Sequence, residues 1–139
     1  MVKLTGLKKV KTAVFISGTG SNLKNLIKFS KLKNSFISID LIFSNTSKAK
    51  GLRFSNQFNI KKYISSFKNP KIAETKILNL LEKKNIKLIC LAGFMKILSK
   101  NFIKNFKGKI VNMHPSLLPK YKGLNTHIKA IQNKDKVAG

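Results

Sequence analysis

The fold is decided by the stretch Thr12-Ala13-Val14-Phe15-Ile16-Ser17-Gly18-Thr19-Gly20-Ser21-Asn22. Its first five residues form an apolar run rich in β-branched and aromatic side chains, which predicts a strand. The two glycines then predict a tight turn, and residues 21–31 carry leucine and isoleucine at helical spacing, which predicts an amphipathic helix. A strand, a turn and a helix in this order form the first part of a βαβ unit.

The rest of the chain repeats the alternation of strand and helix. Further strands are predicted at residues 35–44, 62–64, 87–91 and 109–113, and further helices at residues 48–58, 70–85, 99–106 and from 126 onward. This alternation is typical of an α/β protein with a mainly parallel, Rossmann-like sheet flanked by helices. With 139 residues and no repeat or low-complexity linker, the chain is predicted to form one domain over residues 1–139.

The chain is strongly basic, with a net charge of +25 from 29 Lys and Arg against 4 Asp and Glu. Such a charge can favour a nucleic-acid partner through phosphate neutralisation. However, the basic residues are spread evenly, Arg53 is the only arginine, and no nucleic-acid-binding motif is present. We therefore expect a solvated lysine surface, typical of a composition-biased genome, that attracts small anions rather than nucleic acid.

Cysteine use and apolar segments indicate the compartment. Cys90 is the only cysteine and lies in a predicted strand, which predicts a buried thiol and no intramolecular disulfide. The apolar runs are too short for a signal-peptide core or a membrane span. We expect a cytoplasmic protein without a membrane partner, and nothing in the sequence specifies its oligomeric state.

The glycine-rich turn, residues 17–22, is the first candidate binding site. Free backbone N–H groups and the positive end of the helix dipole there suit a phosphate or carboxylate. The turn is neither a Walker loop nor a dinucleotide fingerprint, because it lacks Gly-Lys-Ser/Thr and a third glycine. Ser21 and Asn22 also suit simple helix capping, so both interpretations stay open.

The second candidate is the segment Asn112-Met113-His114-Pro115-Ser116-Leu117-Leu118-Pro119. Residues two apart in a strand share a face, so Asn112 and His114 are expected to face one pocket. A hydrogen-bond donor beside a titratable ring suits a reaction in which a carbonyl oxygen becomes negative while protons move. A histidine with a purely structural hydrogen bond is the alternative.

These polar segments and residues 92–98 each follow a predicted strand. In an open parallel sheet, ligands bind beyond the carboxyl ends of the strands, where the strand order reverses. We therefore expect the three segments to converge. No cluster of His, Cys and carboxylates has metal-ligand spacing, so no metal is expected, and His127 stays unassigned.

Two common hydrolytic mechanisms are disfavoured. A serine hydrolase would need a Gly-x-Ser-x-Gly element, which is absent. A paired-carboxylate mechanism is difficult to build from the four acidic residues of the chain, which are Asp40, Glu74, Glu82 and Asp135.

Five motifs together resemble phosphoribosylglycinamide formyltransferase of purine biosynthesis. In the family's order they are Ile16-Ser17-Gly18-Thr19-Gly20-Ser21-Asn22-Leu23, Phe43-Ser44-Asn45, Leu91-Ala92-Gly93-Phe94-Met95-Lys96-Ile97-Leu98-Ser99, residues 112–119, and Lys120-Tyr121-Lys122-Gly123-Leu124. The Asn-x-His-Pro-Ser-Leu-Leu-Pro element is shared with other folate-dependent formyl transferases and hydrolases. The Gly-Ser-Asn loop is characteristic of the glycinamide ribonucleotide enzyme.

The resemblance implies a transferase that moves a formyl group from 10-formyltetrahydrofolate, its co-substrate, to the amine of glycinamide ribonucleotide in IMP biosynthesis. It implies a phosphate site at Gly20, Ser21 and Asn22, catalysis by Asn112 and His114, and folate contacts from Met95, Lys96, Ile97, Leu98 and Asn112. Lys96 stands where the family often has an arginine, which would remove a planar guanidinium contact but keep backbone contacts.

The family's third catalytic residue is an aspartate on a later loop. No counterpart is found up to Gly139, and Asp135 lies too early to take that role. We therefore expect the N-terminal part of the formyltransferase fold, lacking the C-terminal strands and the aspartate loop, and weak or no activity from the isolated chain. The alternatives are an enzyme of the formyltetrahydrofolate hydrolase type and a Lys-rich protein that binds anions or RNA on the same scaffold.

Overall fold

A computed structural model describes residues 8–114 and 116–137, and these residues form a five-stranded parallel sheet with helices on both faces. The elements in chain order are β1 (Val10–Ile16), α1 (Ser21–Ser30), β2 (Ile37–Ser44), a 3-10 turn (Lys50–Leu52), α2 (Arg53–Phe58), β3 (Lys61–Ile64), α3 (Pro70–Lys83), β4 (Leu88–Leu91), α4 (Lys100–Asn105), β5 (Lys109–Asn112) and α5 (Thr126–Gln132). The predicted fold class is confirmed.

The strand order within the sheet is β3-β2-β1-β4-β5, with every neighbouring pair parallel. The chain moves outward from β1 through β2 to β3, then crosses to the other side of β1 for β4 and β5. The order therefore reverses between β1 and β4, and the carboxyl ends of these two strands border the crevice where such sheets bind ligands.

The central strand β1 is buried on both faces, which explains its continuous apolar sequence. Val14 and Ile16 pack with Leu23 and Ile27 of α1 on one face. On the other face, Phe15 belongs to a cluster that includes residues of α3 and α4, and its ring centroid lies 4.7 Å from that of Phe43. Cys90 of β4 is buried as predicted, and its burial raises the pKa of the thiol.

Helix α3 begins where its sequence predicts. Asn69 is the N-cap, and its Oδ1 accepts a hydrogen bond of 3.2 Å from the backbone N–H of Ile72. Pro70 occupies the first helical position, where its missing N–H has no cost to the helix. Ala73, Ile77 and Leu81 then point into the core, as their helical spacing predicts.

Most predicted element boundaries differ from the structure by one or two residues, and three differences matter for the site. The single helix predicted over residues 48–58 is instead a 3-10 turn over residues 50–52 followed by a short α-helix over residues 53–58. β5 ends at Asn112, so Met113 lies outside the strand. The helix predicted from residue 126 onward is α5, which ends at Gln132, so Asp135 lies beyond it. Lys134 adopts a left-handed φ of 54° there, and the Asp135 N–H closes the helix by donating to the Ala130 carbonyl over 2.9 Å.

Candidate active site

Close packing of two backbones holds the glycine-rich turn between β1 and α1. Gly20 has a φ of 77° and is the N-cap of α1. A Cβ on Gly20 would lie 2.7 Å from the Cα of Gly51, and the Gly51 N–H donates to the Gly18 carbonyl over 2.9 Å. A Cβ on Gly51 would likewise lie 2.9 Å from the Cα of Gly20, so a side chain at either position would push the turn and the 3-10 turn apart.

The N-cap of the helix that follows this turn is Gly20, which has no side chain. Within the part of the chain that the structure describes, no side-chain hydrogen bond caps the helix there. The interpretation of Ser21 and Asn22 as the N-cap is therefore wrong, because both lie inside the helix. The arrangement leaves first-turn N–H groups and the positive helix end available to an anion.

Two basic side chains lie over the ring of Phe54, which packs against the same turn. The ring of Phe54 would lie 3.4 Å from a Cβ at Gly20. The guanidinium carbon of Arg53 lies 4.9 Å from the centre of this ring, and Nζ of Lys24 lies 5.9 Å from it. Both cations therefore lie over a ring that packs against Gly20, and their charge attracts anions to this region.

Ser17 joins the ends of three strands. Its Oγ donates to Oδ1 of Asn45 after β2, over 2.5 Å, and accepts a hydrogen bond of 2.8 Å from the N–H of Met95 after β4. Its own N–H donates to the Gly93 carbonyl over 3.1 Å. Sequence reasoning assigned no role to Ser17 beyond its turn. The only available signal was a hydroxyl residue at a strand end, which is common in turns.

The β4–α4 loop, residues 92–99, presents most of its predicted ligand-contacting residues to solvent. Met95 is 58% exposed, Ile97 is 82% exposed, and Lys96 is exposed as well. Leu98 differs, because its side chain is buried in the core beside α3 and α4. A ligand in the crevice could therefore meet Leu98 only through its backbone. Phe94 anchors the loop, with its ring centroid 5.4 Å from that of Phe15.

The far end of this loop is fastened by a buried carboxylate. Glu74 of α3 is 5% exposed, and its two oxygens accept hydrogen bonds from the N–H and the Oγ of Ser99, over 2.8 and 2.5 Å. The Ser99 Oγ in turn accepts from the N–H of Phe102 over 3.0 Å and so caps α4. Glu74 therefore holds the end of the β4–α4 loop against α3, a role that the sequence pattern did not indicate.

The end of β5 approaches the first turn of α1. Asn112 is exposed, lies opposite Leu91 in the register, and is on the sheet face that Leu91 and Ile110 share. The next residue, Met113, meets α1, since Nδ2 of Asn22 donates to Sδ of Met113 over 3.9 Å. The two candidate segments are therefore in direct contact, although they are far apart in the sequence.

His114 is half-buried and held through its ring. Nδ1 of His114 lies 2.8 Å from Oγ of Ser116. Pro115, between them, lies outside the described residues. Because β5 ends at Asn112, strand alternation no longer fixes the direction of His114, and a common cavity for Asn112 and His114 stays a prediction. His127, the other histidine, is exposed on α5.

Asp135 stabilises the turn that follows His114. Its Oδ2 accepts from the Tyr121 hydroxyl over 2.7 Å, and its Oδ1 accepts from Nζ of Lys120 over 3.1 Å. Both hydrogen bonds lower the pKa of Asp135 below its ordinary value, and the bond from Tyr121 has the larger effect. The same bond to Asp135 raises the pKa of Tyr121. Lys120 and Tyr121 both belong to the turn that follows His114.

Similarity to known proteins agrees with this geometry. Residues 10–139 match the family model described as formyl transferase. A crystal structure of phosphoribosylglycinamide formyltransferase from Brucella melitensis superposes with a TM-score of 0.86 at 36% identity, covering 95% of this chain and 70% of that one. The chain belongs to the formyl transferase family. The resemblance inferred from the motifs is confirmed.

Relatives within this family differ in length from the chain. The phosphoribosylglycinamide formyltransferase of Haemophilus influenzae is 40% identical over 132 residues, which cover 93% of this chain and 62% of that protein. The human trifunctional purine biosynthetic protein adenosine-3 is 41% identical over 135 residues, which cover 95% of this chain and 13% of that protein. The chain thus spans about three fifths of the bacterial relative and about an eighth of the trifunctional one.

The described ranges contain neither a cluster of metal-binding side chains nor a membrane-spanning helix. Among residues 8–114 and 116–137, no three His, Cys, Asp or Glu side chains lie close enough together to hold a metal ion. Over the same ranges, no helix has the length and apolar character needed to cross a membrane.

Proposed function

We propose that this chain carries the ribonucleotide-binding part and part of the catalytic machinery of a phosphoribosylglycinamide formyltransferase. The reaction transfers the formyl group of 10-formyltetrahydrofolate to the amine of glycinamide ribonucleotide. The contact between Asn22 and Met113 is the observation that carries the proposal. It brings the turn suited to a phosphate next to the Asn-x-His element suited to acyl transfer.

The substrate phosphate is proposed to bind Gly20, Ser21 and Asn22. Two observations support this site: the N-terminus of α1 has no side-chain cap, and Lys24 lies within the same helix. A phosphate there would accept hydrogen bonds from first-turn N–H groups and gain from the helix dipole.

The folate is proposed to lie along the β4–α4 loop. Met95 and Ile97 offer exposed apolar side chains to a pteridine ring, Lys96 offers a cation, and Leu98 offers its backbone. Asn112 faces the sheet side that this loop borders, because it is opposite Leu91 in the register. The formyl group would then lie between the loop and the end of β5.

The chemistry assigned to Asn112 and His114 is acyl transfer through a tetrahedral intermediate. The substrate amine attacks the formyl carbon, the C=O π electrons move onto the oxygen, and Asn112 donates a hydrogen bond to that oxyanion. Protonated His114 stabilises the oxyanion, and a proton passes to the folate nitrogen as its bond to the carbon breaks. The substrate amine loses one proton and the folate nitrogen gains one, so the number of protons is unchanged over the reaction. Oxyanion donors are worth about 10² to 10³ in rate, and acid–base assistance about 10² to 10⁴.

Calorimetric titration with glycinamide ribonucleotide tests the binding part of the proposal. The unsubstituted chain should bind the ribonucleotide, and Asn22→Ala should weaken that binding. Asn25→Ala provides the matched control, because Asn25 is exposed on the same helix. Equal affinity of the two variants would contradict the assigned phosphate site.

A formyl-transfer assay tests the catalytic part. His114→Ala and Asn112→Ala should each lower, by about 10², the weak turnover expected of the unsubstituted chain. His127→Ala is the matched control, since His127 is exposed on α5, and it should leave turnover unchanged. If His114→Ala behaved like His127→Ala, the role assigned to His114 would be wrong.

A further inference from the structure

The Ser116 hydroxyl lies between the ring of His114 and the backbone of the following turn. Its Oγ is 2.8 Å from Nδ1 of His114, 2.7 Å from the Lys120 carbonyl oxygen and 3.4 Å from the Tyr121 carbonyl oxygen. Ser116 is only 9% exposed. Its hydrogen bonds are therefore satisfied mainly within the protein.

The number of protons available decides how these bonds are arranged. A serine hydroxyl has one proton to donate and accepts at its lone pairs, whereas a backbone carbonyl oxygen can only accept. If the hydroxyl donated to Nδ1, its oxygen would face the Lys120 oxygen at 2.7 Å with no proton between them. The satisfied arrangement has the hydroxyl donating to Lys120 and accepting a hydrogen bond from an Nδ1–H of His114.

This arrangement selects one tautomer of the neutral imidazole. The proton on one ring nitrogen of histidine is set by the hydrogen bond that this nitrogen makes. With Nδ1 protonated, Nε2 carries the lone pair of the neutral ring and takes up the second proton when the ring becomes cationic. We propose that Ser116 is a positioning residue that holds His114 in the Nδ1–H tautomer, so that Nε2 is the atom that exchanges protons.

The Lys120 carbonyl, which accepts the Ser116 proton, is itself held in place. The N–H of Lys120 donates to the Leu117 carbonyl over 3.0 Å, which closes the turn. Asp135 then binds the side chains of Lys120 and Tyr121. The Lys120 carbonyl is thus fixed relative to Ser116, and the chain of contacts runs from Asp135 through this turn to the His114 ring.

For catalysis, the inference rests on the proposed function, because it assigns the proton-transferring atom of that reaction. A general acid or base works only if its reactive nitrogen carries or lacks the proton at the right moment. In the opposite tautomer, Nε2 would already be protonated in the neutral ring and could not accept a proton. Loss of the Ser116 hydroxyl should therefore lower kcat while leaving the KM for glycinamide ribonucleotide unchanged.

Nitrogen chemical shifts of the imidazoles provide the direct test. The chain contains only two histidines, so long-range ¹H–¹⁵N correlation spectra of the ¹⁵N-labelled protein are simple to assign with a His127→Ala variant. At about pH 9, where a free histidine ring is neutral, His114 should show a protonated-type Nδ1 and an unprotonated-type Nε2. The exposed His127 serves as an internal reference.

Three variants extend the test. Ser116→Ala should shift the His114 signals toward the Nε2–H form, and Ser116→Thr, which keeps a hydroxyl, should restore the Nδ1–H form. Ser47→Ala removes an exposed serine elsewhere and should change nothing. The signals of His127 should be the same in all three.

If His114 of the unsubstituted protein were in the Nε2–H form, the proposal would be overturned. This measurement needs no variant, so it tests the proposal even if the Ser116→Ala protein does not fold. Unchanged His114 signals in a folded Ser116→Ala protein would overturn it as well. The tautomer measurement is independent of substrate. A protein with the Nδ1–H form that fails to bind glycinamide ribonucleotide would contradict the proposed function alone, and one that binds it with the Nε2–H form would contradict the Ser116 assignment alone.

Discussion

The glycine-rich turn and the segment after β5 lie at the same edge of the sheet but are held by different interactions. At the turn, Gly20 and Gly51 press backbone against backbone, with room for no Cβ. After β5, side-chain hydrogen bonds of Ser116 and Asp135 fix the chain, and many neighbouring apolar residues are exposed, including Leu117 and Leu118. Changes at the turn should therefore act through sterics, and changes after β5 through hydrogen bonding and charge.

The largest expected effect is at the turn. Gly20→Ala introduces a clash with Gly51 and an unfavourable positive φ, and should lower the free energy of unfolding by about 2–4 kcal/mol. Urea unfolding measures this change. Gly18→Ala is the control in the same turn, because no atom lies within 4 Å of its added Cβ. Equal destabilisation by the two substitutions would show that close packing does not hold the turn.

The next largest effect concerns Glu74. Its hydrogen bonds hold the β4–α4 loop, just as side-chain hydrogen bonds hold the segment after β5. Glu74→Ala removes two charge-assisted bonds to Ser99 and should cost about 2–3 kcal/mol of unfolding free energy. Glu82→Ala on the same helix removes an exposed carboxylate and should cost much less. If urea midpoints fell equally for both, the burial of Glu74 would have no energetic consequence.

A smaller effect is expected at Ser17, where side-chain hydrogen bonds connect the glycine-rich turn to Asn45 and to the β4–α4 loop. Ser17→Ala removes the bonds to Asn45 and to the Met95 N–H, and should cost about 1 kcal/mol because Met95 can bond to water instead. Amide hydrogen exchange should nevertheless increase at Met95, while exchange in α5 stays constant. An unchanged exchange rate at Met95 would mean that Ser17 does not hold the β4–α4 loop.

The smallest expected effect depends on pH and is confined to the segment after β5. Hydrogen bonds from Tyr121 and Lys120 lower the pKa of Asp135 below its ordinary value in the folded chain. A carboxyl group with a lowered folded-state pKa stabilises the fold above its unfolded-state pKa, and this contribution is lost as the pH falls through the folded-state value. Asp135→Asn should therefore reduce the loss of stability on acidification.

Urea midpoints at about pH 7 and about pH 3 measure this difference. Tyr121→Phe is the companion variant, because it keeps the ring and removes the hydrogen bond that lowers the pKa of Asp135 most. It should remove part of the same acid sensitivity. Identical pH dependence for Asp135→Asn and the unsubstituted chain would show that the bonds of Asp135 have no energetic consequence.

The same contrast explains which features could be predicted from the sequence. Strand–turn–helix alternation depends on local periodicity, so the apolar run of β1 and the Asn69-Pro70 start of α3 were readable directly. The Gly20–Gly51 packing and the Ser17 bonds join segments that only the folded sheet brings together. Glycine and serine occur in turns for many reasons, so composition alone could not identify these partners.

The site was predictable in part for the same reason. Convergence of the three segments followed from the topology rule for parallel sheets, and the contacts of Ser17 and Asn22 agree with it. Burial of Leu98 was not predicted, because an apolar residue in a loop suits a ligand pocket as well as a core. The direction of His114 depends on where β5 ends, which local pattern fixes poorly.

Amide spectra recorded during titration with glycinamide ribonucleotide test most directly whether the turn and the Asn-x-His element form one site. The account predicts that the amide signals of Gly20, Ser21, Asn22 and Met113 shift together with a single dissociation constant, while those around Glu82 and Lys107, beyond the opposite ends of the strands, stay fixed. Shifts confined to the Glu82 and Lys107 region, or no shifts at a saturating concentration of the ribonucleotide, would contradict it.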